Sequence, residues 1–283
     1  MNILSIQSHV SYGHVGNSAA VLCLQLLGFN VWPIPTIQLS NHPGHSSFRG
    51  QKVELSAIDA LIQGLYDLGA LDNCDGIISG YFSDPAISRL ISRVVGQIKS
   101  ANPDAIYLCD PVMGNTKRGS YVPEGVQETI IEDLLPIADI ITPNHFELET
   151  LSATNILTQK DAIAALHSTA KLGPKISLCT SAPTLTPASM SVLAVHSSDT
   201  WIVETPQLAT IANGRGDCLS AIFLAQYLLG KGLESSLGFA VSAVHDLIKM
   251  GGTESRDLPL VAGREMIVEP NQIFTPECIA NGY

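Results

Sequence analysis

Charge is scarce in this chain. Only 14% of its 283 residues are Asp, Glu, Lys or Arg, against 46% hydrophobic ones. Such a composition excludes a disordered polymer and predicts a well-buried globule. Cations are scarcer still: 15 Lys and Arg against 26 Asp and Glu leave a net charge of −11. The broad basic face that a nucleic acid or an anionic membrane surface requires is therefore missing. A small anionic substrate must be met locally, by glycine turns, a few cations or a metal ion. No apolar run reaches the length of a membrane span, and residues 1–6 carry no basic n-region. The expectation is a cytoplasmic protein whose first strand begins almost at once. The six cysteines (Cys23, Cys74, Cys109, Cys179, Cys218 and Cys278) form no C-x-x-C and lie near no histidine pair at zinc spacing. They read as free buried thiols in a reducing compartment.

Several catalytic signatures are absent as well. The first loop, residues 8–17, matches neither G-x-x-x-x-G-K-[ST] nor G-x-G-x-x-G, and the chain has no G-x-S-x-G elbow and no H-E-x-x-H. The eight histidines are dispersed, with His42 and His145 set apart by their loop positions. The string Arg215-Gly216-Asp217 could suggest integrin binding, but an acidic, disulfide-free cytoplasmic chain argues against it.

What is present alternates between short apolar runs and helical periodicity. Residues 2–8 read as a strand, then a polar glycine-bearing loop, then a helix over 19–27: the opening unit of a doubly wound α/β sheet. Further strands are expected at 31–36, where the prolines suit an edge, at 76–82 as a buried strand with its exit loop, and at 105–109, 139–142 and 175–180. Helices are expected at 55–68, 88–101, 126–135 and 161–172, with a hairpin of 189–196 and 200–204 breaking the alternation. Two long helices, 217–229 and 234–250, precede a polar tail with turn signals. Residues 38–50 read as one long functional loop, a lid or substrate cover, and 115–123 as a second mobile segment carrying Lys117 and Arg118. No internal repeat or linker divides the chain, so residues 1–283 are expected to form a single domain.

Chemistry is expected at Gly214-Arg215-Gly216-Asp217. Two glycines one residue apart let backbone N–H groups converge on an anion, and the helix that follows adds the positive end of its dipole. Asp217 would repel a phosphate there unless it meets a cation or takes a proton, which makes it a candidate general base; it also suits a plain helix N-terminus. Asp110 and Glu147 each follow a strand at the expected carboxyl edge of the same sheet, where ligands of such sheets bind. Three acids beside a glycine turn suit Mg²⁺-dependent phosphoryl transfer. Asp110 and Glu147 would hold the metal through water, the 214–217 turn would neutralise the transferred group, and Asp217 would accept the acceptor's proton. For Glu147 the alternative is simple complementation of a helix dipole.

The opening stretch Ser5-Ile6-Gln7-Ser8-His9-Val10-Ser11-Tyr12-Gly13-His14-Val15-Gly16-Asn17 is joined by Leu39-Ser40-Asn41-His42, Ser79-Gly80-Tyr81, Asp110-Pro111-Val112-Met113-Gly114, Thr142-Pro143-Asn144-His145-Phe146-Glu147 and the Gly214–Asp217 turn. Together they resemble the pyridoxal/pyridoxamine kinases of the ribokinase superfamily, most closely the bacterial branch, over essentially the whole length. The resemblance implies a ribokinase-like fold, a central mostly parallel sheet flanked by helices on both faces. It also implies a homodimer that phosphorylates the 5′-hydroxyl of pyridoxal, pyridoxamine or pyridoxine with ATP and Mg²⁺, with a monovalent cation as a candidate further ion. By the same resemblance Ser8 and Tyr81 touch the pyridine ring, Asn41, His42, Pro43 and Gly44 cover it, and Asp217 is the base. Asp110, Thr142 and Glu147 map to the nucleotide and metal side, and Thr205, Pro206, Gln207 and Leu208 to the nucleotide wall. The rival readings are a hydroxymethylpyrimidine kinase and a vitamer-binding or regulatory protein of the same fold with low turnover.

Two positions depart from the family pattern. Thr180 stands where relatives often carry a nucleotide-side lysine, and Arg215 where many have a small residue between the glycines. A guanidinium there can add a phosphate contact. Replacing Arg215 by Ala is expected to raise the Michaelis constant for ATP in steady-state assays; an unchanged constant removes that role.

Overall fold

The computed structural model describes residues 1–279. Along the chain, β1 (Asn2–Tyr12), α1 (Asn17–Leu26), β2 (Asn30–Asn41) and the short β3 (Gly50–Lys52) come first. Next are α2 (Leu55–Asp67), β4 (Gly76–Ser79), α3 (Ala86–Ala101) and β5 (Ile106–Cys109). A two-stranded ribbon, β6 (Gly114–Asn115) and β7 (Gly119–Ser120), leads to α4 (Val126–Thr129). Then follow β8 (Ile140–Ile141), α5 (His145–Ser152), α6 (Gln159–Ala170) and β9 (Ile176–Ala182). The hairpin β10 (Ser189–His196) and β11 (Asp199–Pro206) precedes α7 (Arg215–Leu228), α8 (Gly232–Gly251), α9 (Arg264–Val268) and β12 (Glu277–Ile279).

One ten-stranded sheet joins these strands in the order β12-β11-β10-β9-β8-β5-β4-β1-β2-β3. From β2 to β9 every pairing is parallel, and the flanking strands at both ends are antiparallel. Parallel strands are apolar on both faces, because helices cover both. The alternation of side chains along each strand divides the core accordingly. Ile3, Ile78, Leu108, Ile140 and Leu178 pack with α1, α7 and α8. Leu4, Ile77, Tyr107 and Ile141 face α2 and α3, and Cys179 and Leu193 face α5 and α6. Helix α7 contributes nine consecutive buried residues, Cys218–Gln226, which accounts for the all-round apolar character of its sequence.

Some sequence expectations need correction. The first strand does not stop at residue 8: β1 and β2 continue side by side to Tyr12 and Asn41 as a parallel arm. Its polar composition hid it, since only Val10 of its outer β1 half is buried. The 38–50 loop therefore shrinks to a strap over residues 42–49, closed by β3 pairing on Ile37, Gln38 and Leu39. The prolines at 33 and 35 sit where β2 has no outer neighbour, so their missing N–H groups cost no ladder bond. The helix expected over 126–135 is a short α4, one π turn (Ile130–Leu134) and a 3₁₀ turn (Leu135–Ile137). The polar tail adds β12, an edge strand too short and exposed to signal itself.

Asn17, at the start of α1, ties the arm to the sheet. Its buried amide donates to the Gln7 and Ile34 carbonyls, at 3.1 Å each, and its oxygen accepts from Ser5 Oγ at 2.7 Å. Replacing Asn17 by Ala strands two carbonyls and a hydroxyl, and unfolding in urea is expected to lose about 3 kcal/mol; a loss below about 1 kcal/mol would mean that water restores those bonds.

Candidate active site

The parallel strands end along one edge, and the candidate residues gather there. Asp110 follows β5 directly, its N–H donating to the Ser79 carbonyl at 2.9 Å. Its Oδ2 accepts from Ser220 Oγ on α7 at 3.1 Å, and Ser220 in turn shares a 2.8 Å hydrogen bond with Thr142 Oγ1 after β8. No donor reaches the other Asp110 oxygen among the described residues. Burial, then the facing Glu147 and Asp217 carboxylates, push the Asp110 carboxyl well above the usual range, and only the Ser220 hydroxyl opposes them.

Glu147 is 2% exposed. Its two oxygens accept from the backbone N–H groups of Met113 (3.0 Å) and Asn144 (2.8 Å), while Asn144 Oδ1 accepts from the Glu147 N–H at 3.1 Å. This is a capping box at the start of α5. Burial raises the Glu147 carboxyl, and those N–H groups oppose the rise. Glu147 thus complements a helix start, the second of its two sequence readings, and it also faces Asp110.

Helix α7 starts two residues before Asp217, at Arg215, with Gly214 as its N-cap. Gly214 has φ 83°, and a Cβ there would lie 2.0 Å from the His14 carbonyl oxygen, so only glycine fits. Asp217 occupies the third helical position, half-buried; burial raises its pKa while the N–H groups of Gly16 and of Asp217 itself oppose the rise. A Cβ at Gly216 would lie 3.9 Å from Asp110 Oδ2, which sets the turn beside the first acid. Among the described residues no group of three or more His, Cys, Asp or Glu forms a ready-made metal cage. A magnesium ion shared with substrate phosphates needs only one or two carboxylates.

On the other side of the turn, Ser8 lies where the β1–β2 register slips between Gln7 and His9, and its Oγ packs on Gly16. Tyr81 is held by Thr36 Oγ1, which donates to its carbonyl at 2.7 Å. The strap is pinned within itself: Asn41 Nδ2 donates to the His42 and Ser47 carbonyls, and His42 Nδ1 accepts from the Gly44 N–H at 3.0 Å. Pro43 is exposed within it. Burial, then the nearby Arg118, lowers the His42 pKa. Arg215 shares the lining of a cavity of about 60 Å³ with Thr205, Pro206, Leu208 and His245, while Gln207 is exposed and outside that lining. Thr180 is bridged to Asn144 at the end of β9. His145, singled out by position, is occupied structurally at the start of α5, 2.9 Å from the Ile156 carbonyl.

Two residues escaped the sequence reading. Ser220 lies in an apolar helix, where one hydroxyl gives no signal. Tyr121, in the segment read only as mobile, has its phenol pKa raised by burial and then by Glu147, Asp110, Asp217 and Tyr81, and its ring centroid lies 6.5 Å from that of Tyr81. It follows the β6–β7 ribbon directly, its N–H donating to the Met113 carbonyl at 3.0 Å, within reach of the acids' charge.

A helix N-terminus set among acids over the carboxyl edge of a parallel sheet is the architecture of the ribokinase-like kinases. Residues 75–257 match the phosphomethylpyrimidine kinase family. A pyridoxal kinase of Rubrobacter xylanophilus is 40% identical over 284 residues, spanning 99% of this chain and 98% of the relative. One of Granulibacter bethesdensis is 41% identical, spanning 97% of this chain and 98% of the relative. The solved pyridoxal kinase of Leishmania donovani in complex with ADP and pyridoxamine superposes with a TM-score of 0.93 at 29% identity, covering 98% of this chain and 99% of that one. The chain belongs to the phosphomethylpyrimidine kinase family and, within it, to the pyridoxal kinases.

Because Asn144 both caps α5 and orients Glu147, Asn144→Ala is expected to cost about 1 kcal/mol of stability in chemical denaturation; an unchanged midpoint would show that the capping box is dispensable.

Proposed function

We propose that this chain transfers the γ-phosphoryl group of ATP to the 5′-hydroxyl of pyridoxal, and of pyridoxamine and pyridoxine, in vitamin B6 salvage. The observation that carries this reading is the position of Asp217 in the first turn of α7, next to Gly16 of the first loop and facing Asp110. The hydroxymethyl group of a vitamer held by Ser8, Tyr81 and the Asn41, His42, Pro43 and Gly44 strap would lie over Asp217. A carboxyl whose pKa is raised by burial is a stronger base at neutral pH than an exposed aspartate. Asp217 takes the hydroxyl proton, the oxygen attacks the γ-phosphorus, and ADP departs with the bond to its β-phosphate oxygen broken.

Charge on the transferred group is met by the N–H groups of the Gly214-Arg215-Gly216 turn and by the positive end of α7. Asp110 and Glu147 would hold Mg²⁺, largely through water; Asp110, raised by burial and then by the Glu147 and Asp217 carboxylates, sits in the kind of acid cluster that a divalent cation relieves. When bound, that ion neutralises the phosphate oxygens. Ser220 and Thr142 keep Asp110 oriented from behind. Arg215, Thr205, Pro206 and Leu208 line one cavity, which this reading gives to the nucleotide, together with the neighbouring Gln207 and with Thr180 toward the triphosphate. Arg215 offers a cation to that side, which Thr180 does not.

The same proposal takes residues 1–283 as a single kinase domain, residues 280–283 lying outside the described ones. It extends to a cytoplasmic homodimer that uses a monovalent cation beside Mg²⁺. No helix among the described residues is long and apolar enough to cross a membrane. The relatives named pyridoxal kinase, and the neighbour seen with ADP and pyridoxamine, support the choice of donor and acceptor.

Purified protein assayed with ATP, Mg²⁺ and each vitamer, beside hydroxymethylpyrimidine, tests the reading. Asp217→Asn is expected to lower kcat for pyridoxal by roughly 10²–10⁴ with little change in vitamer binding. Turnover of the pyrimidine alone would favour the rival kinase, and tight vitamer binding without turnover would favour a binding protein.

A further inference from the structure

The segment that follows α8 reaches back over the acceptor side of the site. The Arg256 carbonyl accepts from both the backbone N–H (2.9 Å) and Nδ2 (3.0 Å) of Asn213, the residue just before the Gly214 turn. Arg256 Nη1 donates to the Gly44 carbonyl in the strap at 2.6 Å. Asp257 Oδ2 lies 2.9 Å from His45 Nε2, also in the strap. The other Asp257 oxygen is buried without a hydrogen-bond partner and is pressed against Gly13 of the first loop, where a Cβ would lie only 2.0 Å away. Ser255 Oγ donates to the Asp257 carbonyl at 2.6 Å and fixes the turn. The His45 ring meets Tyr12 edge-on at 5.9 Å.

Two residues on a C-terminal turn therefore touch the first loop, the strap and the approach to the catalytic turn. The first loop already meets the turn through the Gly16 N–H and Asp217, but the strap does not: Gly44 and Asn213 are close, and no hydrogen bond joins them. A buried carboxylate oxygen left unpaired is costly, so the cluster is not a minimum for packing alone. We propose that Asp257, through His45 and Gly13, is a positioning residue for the acceptor substrate, clasping the 42–49 strap and the first loop against the Asn213–Asp217 turn so that the acceptor hydroxyl is held over Asp217. The inference rests on the reading that the strap covers the vitamer. It adds a residue that contacts neither acceptor nor nucleotide in that reading, and it places the control of acceptor affinity in the C-terminal segment.

A clasp makes a demand that a purely structural ion pair does not: its loss must weaken acceptor binding and leave the nucleotide side untouched. Asp257→Ala, His45→Ala and the double variant are compared with the parent enzyme by steady-state kinetics and by backbone hydrogen exchange of the ligand-free protein. Each single change is expected to raise the Michaelis constant for pyridoxal about tenfold, the loss of one charge-assisted hydrogen bond. That for ATP should stay within about twofold, and the double variant should be no worse than either single one. Exchange over residues 42–49 is expected to quicken by a similar factor while that of α7 is unchanged. Equal rises in both Michaelis constants, additive single effects, or strap exchange that stays at the parental rate in active variants would overturn the clasp. If Asp257→Ala does not fold, His45→Ala breaks the same pair from the more accessible side and decides alone. A parent enzyme that leaves pyridoxal unphosphorylated instead overturns the vitamer reading, and the acceptor role of Asp257 falls with it.

Discussion

The carbonyl oxygen of His14 lies where a side chain at position 214 would have to be. That single close approach joins the loop after β1 to the turn before α7, two segments 200 residues apart in sequence, and it requires a glycine in the left-handed region at their contact. Much of the site follows from it. With Gly214 fixed, α7 starts at Arg215, its first N–H groups open toward the sheet edge, and Asp217 comes to rest beside Gly16. The apolar body of α7, buried on all sides, then holds the turn rigid.

The acids are stabilised by the same atoms that build the fold. Asp110 is anchored by a hydroxyl from α7, and that hydroxyl is anchored by Thr142 from the neighbouring strand. Glu147 completes the capping box of α5 while accepting from the N–H after the β5 turn. Burying carboxylates is unfavourable and raises the pKa of all three, and at Asp110 the facing Glu147 and Asp217 carboxylates add to that cost. Under the proposed function that cost is tolerated because the acids would meet a cation and a polyphosphate. The scarcity of charge elsewhere in the chain sharpens the contrast: cations are few, and Arg215 is one of them, set in the first turn of α7 and lining a cavity with Thr205, Pro206 and Leu208.

The side that the proposed function gives to the acceptor is built differently, from a polar arm and a strap rather than from packed helices. β1 and β2 run past the body of the sheet, Ser8 sits at their register slip, and the strap closes on β3. Few apolar side chains hold these pieces, so hydrogen bonds to the 255–257 segment do so, the His45–Asp257 contact among them. Regions held this way open more easily than a core, which suits a site that must admit and release its substrate.

The sequence by itself determined the alternation of strands and helices, the sidedness of the sheet and the edge at which Asp110, Thr142 and Glu147 emerge. Each is written in local periodicity and in the residue type at a strand end. It also carried the family through short motifs whose spacing survives in one chain. The polar extension of β1, the short β12 and the breaks in the 126–135 helix were not legible, because pairing partners and packing decide them rather than local propensity. Only the tertiary structure decided that Ser220 supports Asp110, that Tyr121 comes within reach of the acids' charge and that Asp257 meets Gly13 and His45. Contacts between residues on separate elements leave no period in the sequence; they exist once a parallel sheet has brought its carboxyl edge, the α7 turn and the C-terminal segment to one place.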